Sequence, residues 1–208
     1  ADAFETTFAI TDPTADRTIT FPDASVTLGA ADAVLLSSQD ASTSASVNFD
    51  NTLITSTYKT YELRFLNVVP ASDDTHLKIQ FSDDNGANFD ANHTSGYDNS
   101  YTGADAQGAS YDGTYDAVNQ NHTFVSKHQS NTAGDSSGGT IWVQNPSSTS
   151  FITTYQYLTS NISYDATPYL YTVYAGGMWD SLAAVNYIRF IMSSGNIVTG
   201  TFQLWGYK

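Results

Sequence analysis

The chain has no cysteine, only four lysines, only two glutamates and no apolar run long enough to cross a membrane. Without cysteine, disulfides, thiolate metal sites and cysteine nucleophiles are excluded. Seven Lys and Arg stand against 21 Asp and Glu, so the net charge is −14. This balance argues against nucleic-acid binding, which needs a basic surface. We expect no membrane insertion, because a span needs about 20 apolar residues in a row.

The composition favours strands and turns over helices. Nineteen of the 21 acidic residues are Asp, Ser and Thr together number 51 of 208 residues, and Tyr and Phe number 14 and 11. Thr, Tyr and Phe are common in strands, whereas Asp and Ser are common in turns. A chain of 208 residues is also the size of one ordinary domain. We therefore expect an all-β fold.

Alternating apolar and polar residues mark the strands of the main domain. The strongest case is the segment in which Tyr61, Leu63 and Phe65 alternate with Glu62 and Arg64. Such alternation is typical of strands with one buried face. About eight strands at regular spacing predict a jelly-roll-like β-sandwich over residues 44–208. The other expected strands cover residues 77–81, 123–127, 140–144, 151–158, 169–174, 187–192 and 197–207.

Three connections of this domain have distinct signals. Asn85-Gly86 predicts a hairpin turn, because both residues tolerate positive φ. Residues 193–196 (SSGN) predict a turn that joins the last two strands as an antiparallel pair. Residues 90–121 have no apolar periodicity, which indicates a long loop of the kind that often carries function.

The first 43 residues are interpreted as a separate N-terminal β strip followed by a connector. Short alternating segments over residues 4–28 have apolar faces but too few residues to cover them, and isolated short strands are unstable in water. This strip must therefore pack on the following domain or on copies of itself. Residues 29–43 would form the connector. The oligomerisation or docking residues are Phe4, Phe8, Ile19, Phe21, Val26 and Leu28.

No set of residues in the sequence defines a catalytic site. Residues 134–139 (GDSSGG) match the G-x-S-x-G pattern, but that motif needs a strand before it and a helix after it. Here a strand is expected to follow, so a turn is the better interpretation. The Asp residues offer no spacing that selects a pair of catalytic carboxylates. The four histidines, His76, His93, His122 and His128, have no metal-binding spacing either. We therefore expect no enzyme activity.

The acidic loops raise the question of calcium. Asp83, Asp84 and Asp90 flank the Asn85-Gly86 turn and offer the oxygen ligands that Ca²⁺ prefers. Their spacing does not match an EF-hand loop. We therefore expect no cofactor, and leave calcium open without a defined set of ligands.

The tyrosine-rich segment 90–121 is the best candidate for recognition. It combines Tyr with Ser, Gly and Asn, as antibody paratopes do, and aromatic faces also stack on sugars. Trp179 is a second candidate for an exposed aromatic, and Trp142 belongs either to the core or to an exposed face. The proposed receptor-binding or glycan-binding residues are Tyr97, Tyr101, Tyr111, Tyr115 and Trp179.

Two stretches resemble a known group of proteins. Residues 12–28 (DPTADRTITFPDASVTL) resemble the short β repeat of bacteriophage tail fibres, especially those of marine phages. Residues 186–196 (NYIRFIMSSGN) and 200–207 (GTFQLWGY) are similar to the ends of fibre-like virion proteins of the same phages. Together they cover about 40 of the 208 residues, and no catalytic residue is associated with either.

The resemblance implies a virion structural protein located in the phage particle. It implies a homotrimeric fibre or spike that contacts other virion proteins and ends in a β domain touching a host surface glycan or protein. Only one copy of the repeat is present, which suggests a short fibre, a head-decorating spike, or a fragment of a longer chain. Three alternatives remain: a capsid decoration protein, a carbohydrate-binding module of a secreted protein, and a glycan depolymerase.

Overall fold

The computed structural model describes residues 33–104 and 106–208, and this part of the chain is almost entirely β-strand. The one helical element among these residues is a single 3-10 turn, Gly113–Tyr115. The strands are β1 (Ala33–Ser44), β2 (Val47–Phe49), β3 (Thr60–Pro70), β4 (Leu77–Ser82), β5 (His93–Ser95), β6 (Asp98–Gly103), β7 (Gln107–Tyr111), β8 (Ala117–Gln120), β9 (Thr123–Phe124), β10 (Ser137–Gln144), β11 (Thr153–Ile162), β12 (Tyr169–Trp179), β13 (Tyr187–Met192) and β14 (Ile197–Tyr207).

The strands form two antiparallel sheets in a sandwich. The larger sheet has ten strands, with the order β1-β14-β3-β10-β11-β12-β5-β8, and β6 and β7 extend it beside β12. The smaller sheet has four strands in the order β2-β13-β4-β9. The expectation of an all-β sandwich is confirmed, and the arrangement is compatible with a jelly roll.

The core lies between the two sheets and is rich in aromatic rings. The inward residues of β3, which are Tyr61, Leu63 and Phe65, are fully buried, as their alternation predicts. Phe190 of the smaller sheet packs against Phe65 and Phe202 of the larger sheet, with ring centroids 5.8 and 5.0 Å apart. Burial of each such ring stabilises the fold by about 2 to 3 kcal/mol.

The last two strands do not pair with each other. β13 lies in the smaller sheet and β14 in the larger sheet, so the turn at residues 193–196 crosses from one sheet to the other. The expected antiparallel pair is therefore wrong. The physical reason is that both strands have apolar inner faces, and Phe190 and Phe202 bury them by packing across the sandwich.

The two other expected connections also differ in part. Asn85 and Gly86 have φ values of 63° and 82°, as the turn requires. The strand that follows, β5, pairs with β8 and β12 instead of returning along β4, so no hairpin forms. The expected loop over residues 90–121 contains four short strands and the 3-10 turn. Their polar residues hide the alternation that identifies strands in a sequence.

The larger sheet begins earlier in the chain than expected. Residues 33–43, expected from the sequence to be a connector, form most of β1, which pairs with β14 at the edge of the sheet. The six residues proposed for oligomerisation or docking lie outside the described residues. They are Phe4, Phe8, Ile19, Phe21, Val26 and Leu28.

His93 is a fully buried polar residue in the core. Its Nε2 accepts a hydrogen bond from the Phe81 N–H at 3.2 Å, so the neutral ring carries its proton on Nδ1. Nδ1 lies 3.1 Å from the Tyr155 hydroxyl and 3.2 Å from that of Thr123. Burial, and secondarily the charge of His122, lowers the pKa of His93 to about 3.

This histidine makes stability depend on pH. Below pH 6.5 the unfolded chain protonates His93 while the folded chain does not, so stability falls as the pH drops from about 6.5 towards 3. The loss from this group is about 1.4 kcal/mol per pH unit. Urea unfolding between pH 4 and 8 measures it. In His93→Gln the slope over this range should decrease, and an unchanged slope would contradict the assignment.

Candidate functional site

The four tyrosines proposed for recognition have different environments. Tyr97 is fully buried and Tyr115 nearly so, with their rings 5.2 Å apart. The expectation that these two contact a partner is therefore wrong, because they form the packed base of the segment. Tyr101 is half-buried against Tyr169, whereas Tyr111 is 64% exposed. Of the four, Tyr111 is the accessible aromatic.

Trp179 is a core residue instead of an exposed aromatic. It is fully buried at the end of β12, where its ring centroid lies 5.3 Å from His93 and 6.2 Å from Phe81. A side chain without accessible surface makes no contact with a ligand, so the expected recognition role of Trp179 is wrong. The alternation of β12 turns this position towards the smaller sheet.

A buried lysine fixes the segment that carries Tyr111. The Lys127 ammonium lies 2.8 Å from the carboxylate of Asp112, the residue that directly follows Tyr111 in the chain. It also lies 4.7 to 6.0 Å from the ring centroids of Tyr171, Tyr115 and Tyr97, a distance typical of cation–π contacts. Asp112 in turn accepts a hydrogen bond from the Thr114 N–H at 3.2 Å and begins the 3-10 turn.

The charges of this pair favour the ionised carboxylate. Partial burial works to raise the pKa of Asp112, but the hydrogen bond and the charge of Lys127 outweigh it and lower the pKa below its ordinary value. The hydroxyl of Tyr111 donates to Asp116, which holds the ring at the surface. The accessible tyrosine is therefore held from both sides.

The outer face of the larger sheet, which is turned away from the smaller sheet, has an unusual number of exposed large apolar side chains. A sheet face in contact with water normally carries polar residues. Here five outward positions of β3, β10, β11 and β12 carry aromatic or leucine side chains, next to polar ones. They are Leu66, Trp142, Leu158, Leu170 and Tyr174.

One part of the outer face is an aromatic and charged group that we call the tryptophan cluster: Glu62, Arg64, Trp142, Trp205 and Tyr207. The Trp142 ring lies 5.4 Å from Tyr207, and the Arg64 guanidinium lies 4.9 Å above the Trp205 ring. Arg64 donates to both oxygens of Glu62, at 2.6 and 3.0 Å. The hydroxyl of Tyr207 also donates to Glu62. The cluster is thus a fixed, partly exposed aromatic platform.

A second part of the outer face is a shallow cleft of about 450 Å³, which we call the tyrosine cleft. Tyr111 and Tyr174, both about two-thirds exposed, are the aromatic residues of its wall. Asp98, paired with Tyr111 in the hairpin of β6 and β7, adds a carboxylate. The other lining residues are Asn99, Ser100, Ala109, Ser110 and Thr172.

These two aromatic sites belong to one continuous surface. Arg64, Thr140, Leu158 and Tyr174 are direct neighbours on adjacent strands, and the cleft with Tyr111 follows beyond β12. From β14 to β7 the surface crosses seven strands, or about 29 Å at the usual strand spacing. The polar side chains of this surface lie between its aromatic side chains.

The sequence carries a signal for this surface in the alternation of its strands. Trp142 lies between the buried residues Ile141 and Val143, so the alternation of the strand alone turns its side chain outward. The same holds for Trp205, which follows the buried Leu204, and for Tyr174, which follows Val173. An aromatic side chain at an outward position of a strand is the pattern that identifies such a face.

The other motifs have structural roles. Ser137, in the GDSSGG segment, begins β10, and its buried hydroxyl accepts a hydrogen bond from the side-chain amide of Gln129 at 2.9 Å. Asp84 accepts hydrogen bonds from the side chains of Ser82 and Asn88 within its turn. Within the part of the chain that the structure describes, no group of three or more His, Cys, Asp or Glu side chains is arranged to hold a metal ion.

Comparison with known proteins adds no family to this description. A scan against protein-family models gives no match, and searches of curated proteins and of solved structures give none either. Among residues 33–104 and 106–208, no helix has the length and apolar character of a membrane span. Function therefore has to be inferred from the geometry of the outer face and from the sequence.

The lysine contact can be tested directly. In Lys127→Met the Asp112 carboxylate loses its partner, and we expect the free energy of unfolding to fall by about 2 kcal/mol, below the range for fully buried pairs because Asp112 is partly exposed. Hydrogen exchange of residues 107–116 should also become faster. The control is Lys78→Met, since Lys78 lies over Phe124 without an ion pair among the described residues. Equal exchange in both variants would contradict the role of Lys127.

Proposed function

We propose that this protein is a structural component of a phage virion, a trimeric fibre or spike whose β-sandwich binds a glycan on the host surface. Binding takes place on the outer face of the ten-stranded sheet and involves no chemistry. The observation that carries the proposal is the row of accessible aromatic side chains across that face, from Trp142 and Trp205 to Tyr174 and Tyr111.

The chemistry of the outer face suits a sugar polymer. Aromatic rings offer flat apolar surfaces to the C–H faces of sugars, while the hydroxyl, amide and carboxylate groups beside them bond sugar hydroxyls. Trp142 has Gln156 as its neighbour on β11, and Trp205 donates to the Gln203 side chain at 3.3 Å. Apolar and polar groups thus alternate over the surface, as they do on a sugar chain.

Charge and length narrow the class of ligand. The chain has a net charge of −14, which repels polyanions. Arg64, a cation of this face, is already paired with Glu62. A neutral glycan therefore fits better than an acidic one. Because the surface extends about 29 Å over seven strands, we infer an extended segment of several sugars rather than a single terminal residue.

The assignment to a virion rests on the sequence resemblance of residues 12–28 and of the C-terminal run. In this proposal the apolar residues of positions 4–28 hold three chains together or dock them on another virion protein. A trimer would present three outer faces at once. Linked weak sites bind far more tightly than single ones, which suits attachment to a dense host surface.

The outer face favours one further candidate, a carbohydrate-binding module of a secreted protein. That function uses the same aromatic residues but needs neither trimerisation nor a virion. A capsid decoration protein, by contrast, would use the N-terminal strip for docking on the shell. Location and copy number distinguish the three candidates. The fibre and the carbohydrate-binding module bind sugars, whereas the fibre and the decoration protein are located on phage particles.

Removal of single aromatic side chains tests the binding face. Trp142→Ala and Tyr174→Ala should each weaken binding to the host-surface polysaccharide by about tenfold, because truncation of a central aromatic contact costs more than 1 kcal/mol. Calorimetry on isolated polysaccharide and adsorption of phage particles provide the measurements. Tyr174→Ala should lose little stability, since that ring is 66% exposed, whereas Trp142 is 37% exposed, so a melting curve accompanies the binding measurement for Trp142→Ala.

The matched control is Phe151→Ala. Phe151 is 69% exposed and lies in the connection between β10 and β11, outside the strands of the outer face, so its removal should leave binding unchanged. If Trp142→Ala and Tyr174→Ala bind as well as this control, the outer face is not the receptor site.

The mass in solution tests the assembly. The full chain should sediment as a trimer, at three times the 22.5 kDa of one chain. Antibody labelling of intact particles should place it on the tail. A monomer with full affinity for the polysaccharide would support the carbohydrate-binding module instead, and labelling of the head would support a decoration protein.

A further inference from the structure

The tryptophan cluster contains a buried carboxylate on the side of the sheet that faces water. Glu62 occupies an outward position of β3, yet its side chain is only 3% exposed. Its direct neighbours on the adjacent strands are Trp142 of β10 and Trp205 of β14. Glu62 thus lies between two aromatic side chains, on a face where a carboxylate would normally be hydrated.

The charge of Glu62 is matched by Arg64, which lies two residues later on the same face of β3. Two nitrogens of the Arg64 guanidinium donate to the two carboxylate oxygens of Glu62, at 2.6 and 3.0 Å. The side chain of Arg64 is 42% exposed, in contrast to the buried carboxylate. The pair is therefore neutral as a whole, and its guanidinium is the part within reach of a ligand.

The guanidinium is held in place and still has donors to offer. It lies 4.9 Å above the Trp205 ring, a distance typical of a cation–π contact. An arginine has five N–H donors in a planar fork, and Glu62 accepts two of them. The exposed edge of Arg64 can therefore donate to a ligand without giving up its contacts with Glu62 and Trp205.

Neutralisation of Arg64 determines the class of ligand that suits it. An unpaired arginine is strongly attracted to carboxylate and sulfate groups, which acidic sugars carry. When Glu62 lies beside Arg64, its negative charge repels a second anion at the same guanidinium. Hydroxyl and ring oxygens of a neutral sugar accept hydrogen bonds without bringing a charge, so they fit the paired arginine.

We propose that Arg64 donates hydrogen bonds to the glycan, and that Glu62 positions and neutralises Arg64 so that the outer face selects uncharged sugars over acidic ones. This inference rests on the proposed function, because it names the residues that set the ligand class of the same face. The exposed part of the Trp142 ring supplies the apolar contact beside them. Glu62 is a positioning residue in this arrangement, since its carboxylate is buried beneath the groups that meet the sugar.

Two hexamers with the same backbone test the selection. The probes are the β-1,4-linked hexamers of glucose and of glucuronic acid, measured by calorimetry with the full chain, and the unaltered protein should prefer the glucose hexamer. Glu62→Gln should bind the glucuronic acid hexamer about tenfold more tightly than the unaltered protein does, because Arg64 then offers an unpaired charge. This gain should shrink with added salt, whereas binding of the glucose hexamer should not depend on salt.

The matched control is Asp40→Asn. Asp40 is an exposed carboxylate of β1 that accepts a hydrogen bond from the Thr201 hydroxyl at 2.7 Å. Its removal changes the net charge by the same amount as Glu62→Gln but releases no cation, so it should produce no gain.

A double variant shows whether the gain passes through Arg64. Arg64→Met alone would leave a buried carboxylate without its partner, so it is combined with Glu62→Gln. The gain for the glucuronic acid hexamer should disappear in the double variant. Glu62→Gln itself keeps the shape of the side chain and one acceptor oxygen for Arg64, and a melting curve checks that it folds.

The outcomes separate the two proposals. An equal gain in Glu62→Gln and Asp40→Asn, no gain in Glu62→Gln, or a gain that persists in the double variant overturns the roles of Arg64 and Glu62. Each of these results leaves glycan binding by the outer face intact. Binding of neither hexamer also overturns these roles, and adsorption of Trp142→Ala particles then decides the proposed function by itself.

Discussion

The packing of two sheets across a shared aromatic core is the constraint on which the rest of this structure depends. In a strand, successive side chains point to opposite faces, so each strand that supplies rings to the core also sends a second set outward. Phe65, Phe190 and Phe202 occupy the inward set and hold the sheets together. The outward set of the larger sheet lies outside this shared core. It can therefore include exposed aromatic side chains such as Trp142 and Tyr174, which the proposed function uses for contact with a ligand.

Much of the fold could be predicted from the sequence, and the part that could was the part with strong alternation. Leu77, Ile79 and Phe81 alternate with Lys78 and Gln80, and they are buried as expected. Partner choice was not predictable, because alternation marks a strand but not its neighbour. β13 and β14 show this, since they are adjacent in sequence and lie in different sheets. The strands of residues 90–121 were missed because their polar side chains give no period.

The candidate site was predicted less well, for a related reason. A tyrosine in a polar segment is expected to be exposed, yet Tyr97 and Tyr115 are buried beneath that segment. Lys127 lies beside their rings, and its charge is neutralised by the Asp112 carboxylate, which makes this burial possible. Such a contact joins residues that are distant in sequence, so no local pattern announces it. The outward positions of Trp142 and Trp205 could have been predicted, because the alternation of buried residues in their strands turns these two side chains outward. The alternation within a strand does not show, however, that Trp142 and Trp205 lie on the same face of the sheet as Tyr111.

The position of β14 has a consequence for how the protein is made. This strand is the last of those described, yet it lies inside the larger sheet, between β1 and β3, and its Tyr207 pairs with Ala33. The ribosome therefore synthesises residues 33–192 before the strand that joins β1 to the rest of the sheet. Pairing between such distant segments is slow, because the chain between them loses much entropy when it closes. Until β14 has paired with both of its neighbours, the edges of β1 and β3 remain open to neighbouring chains.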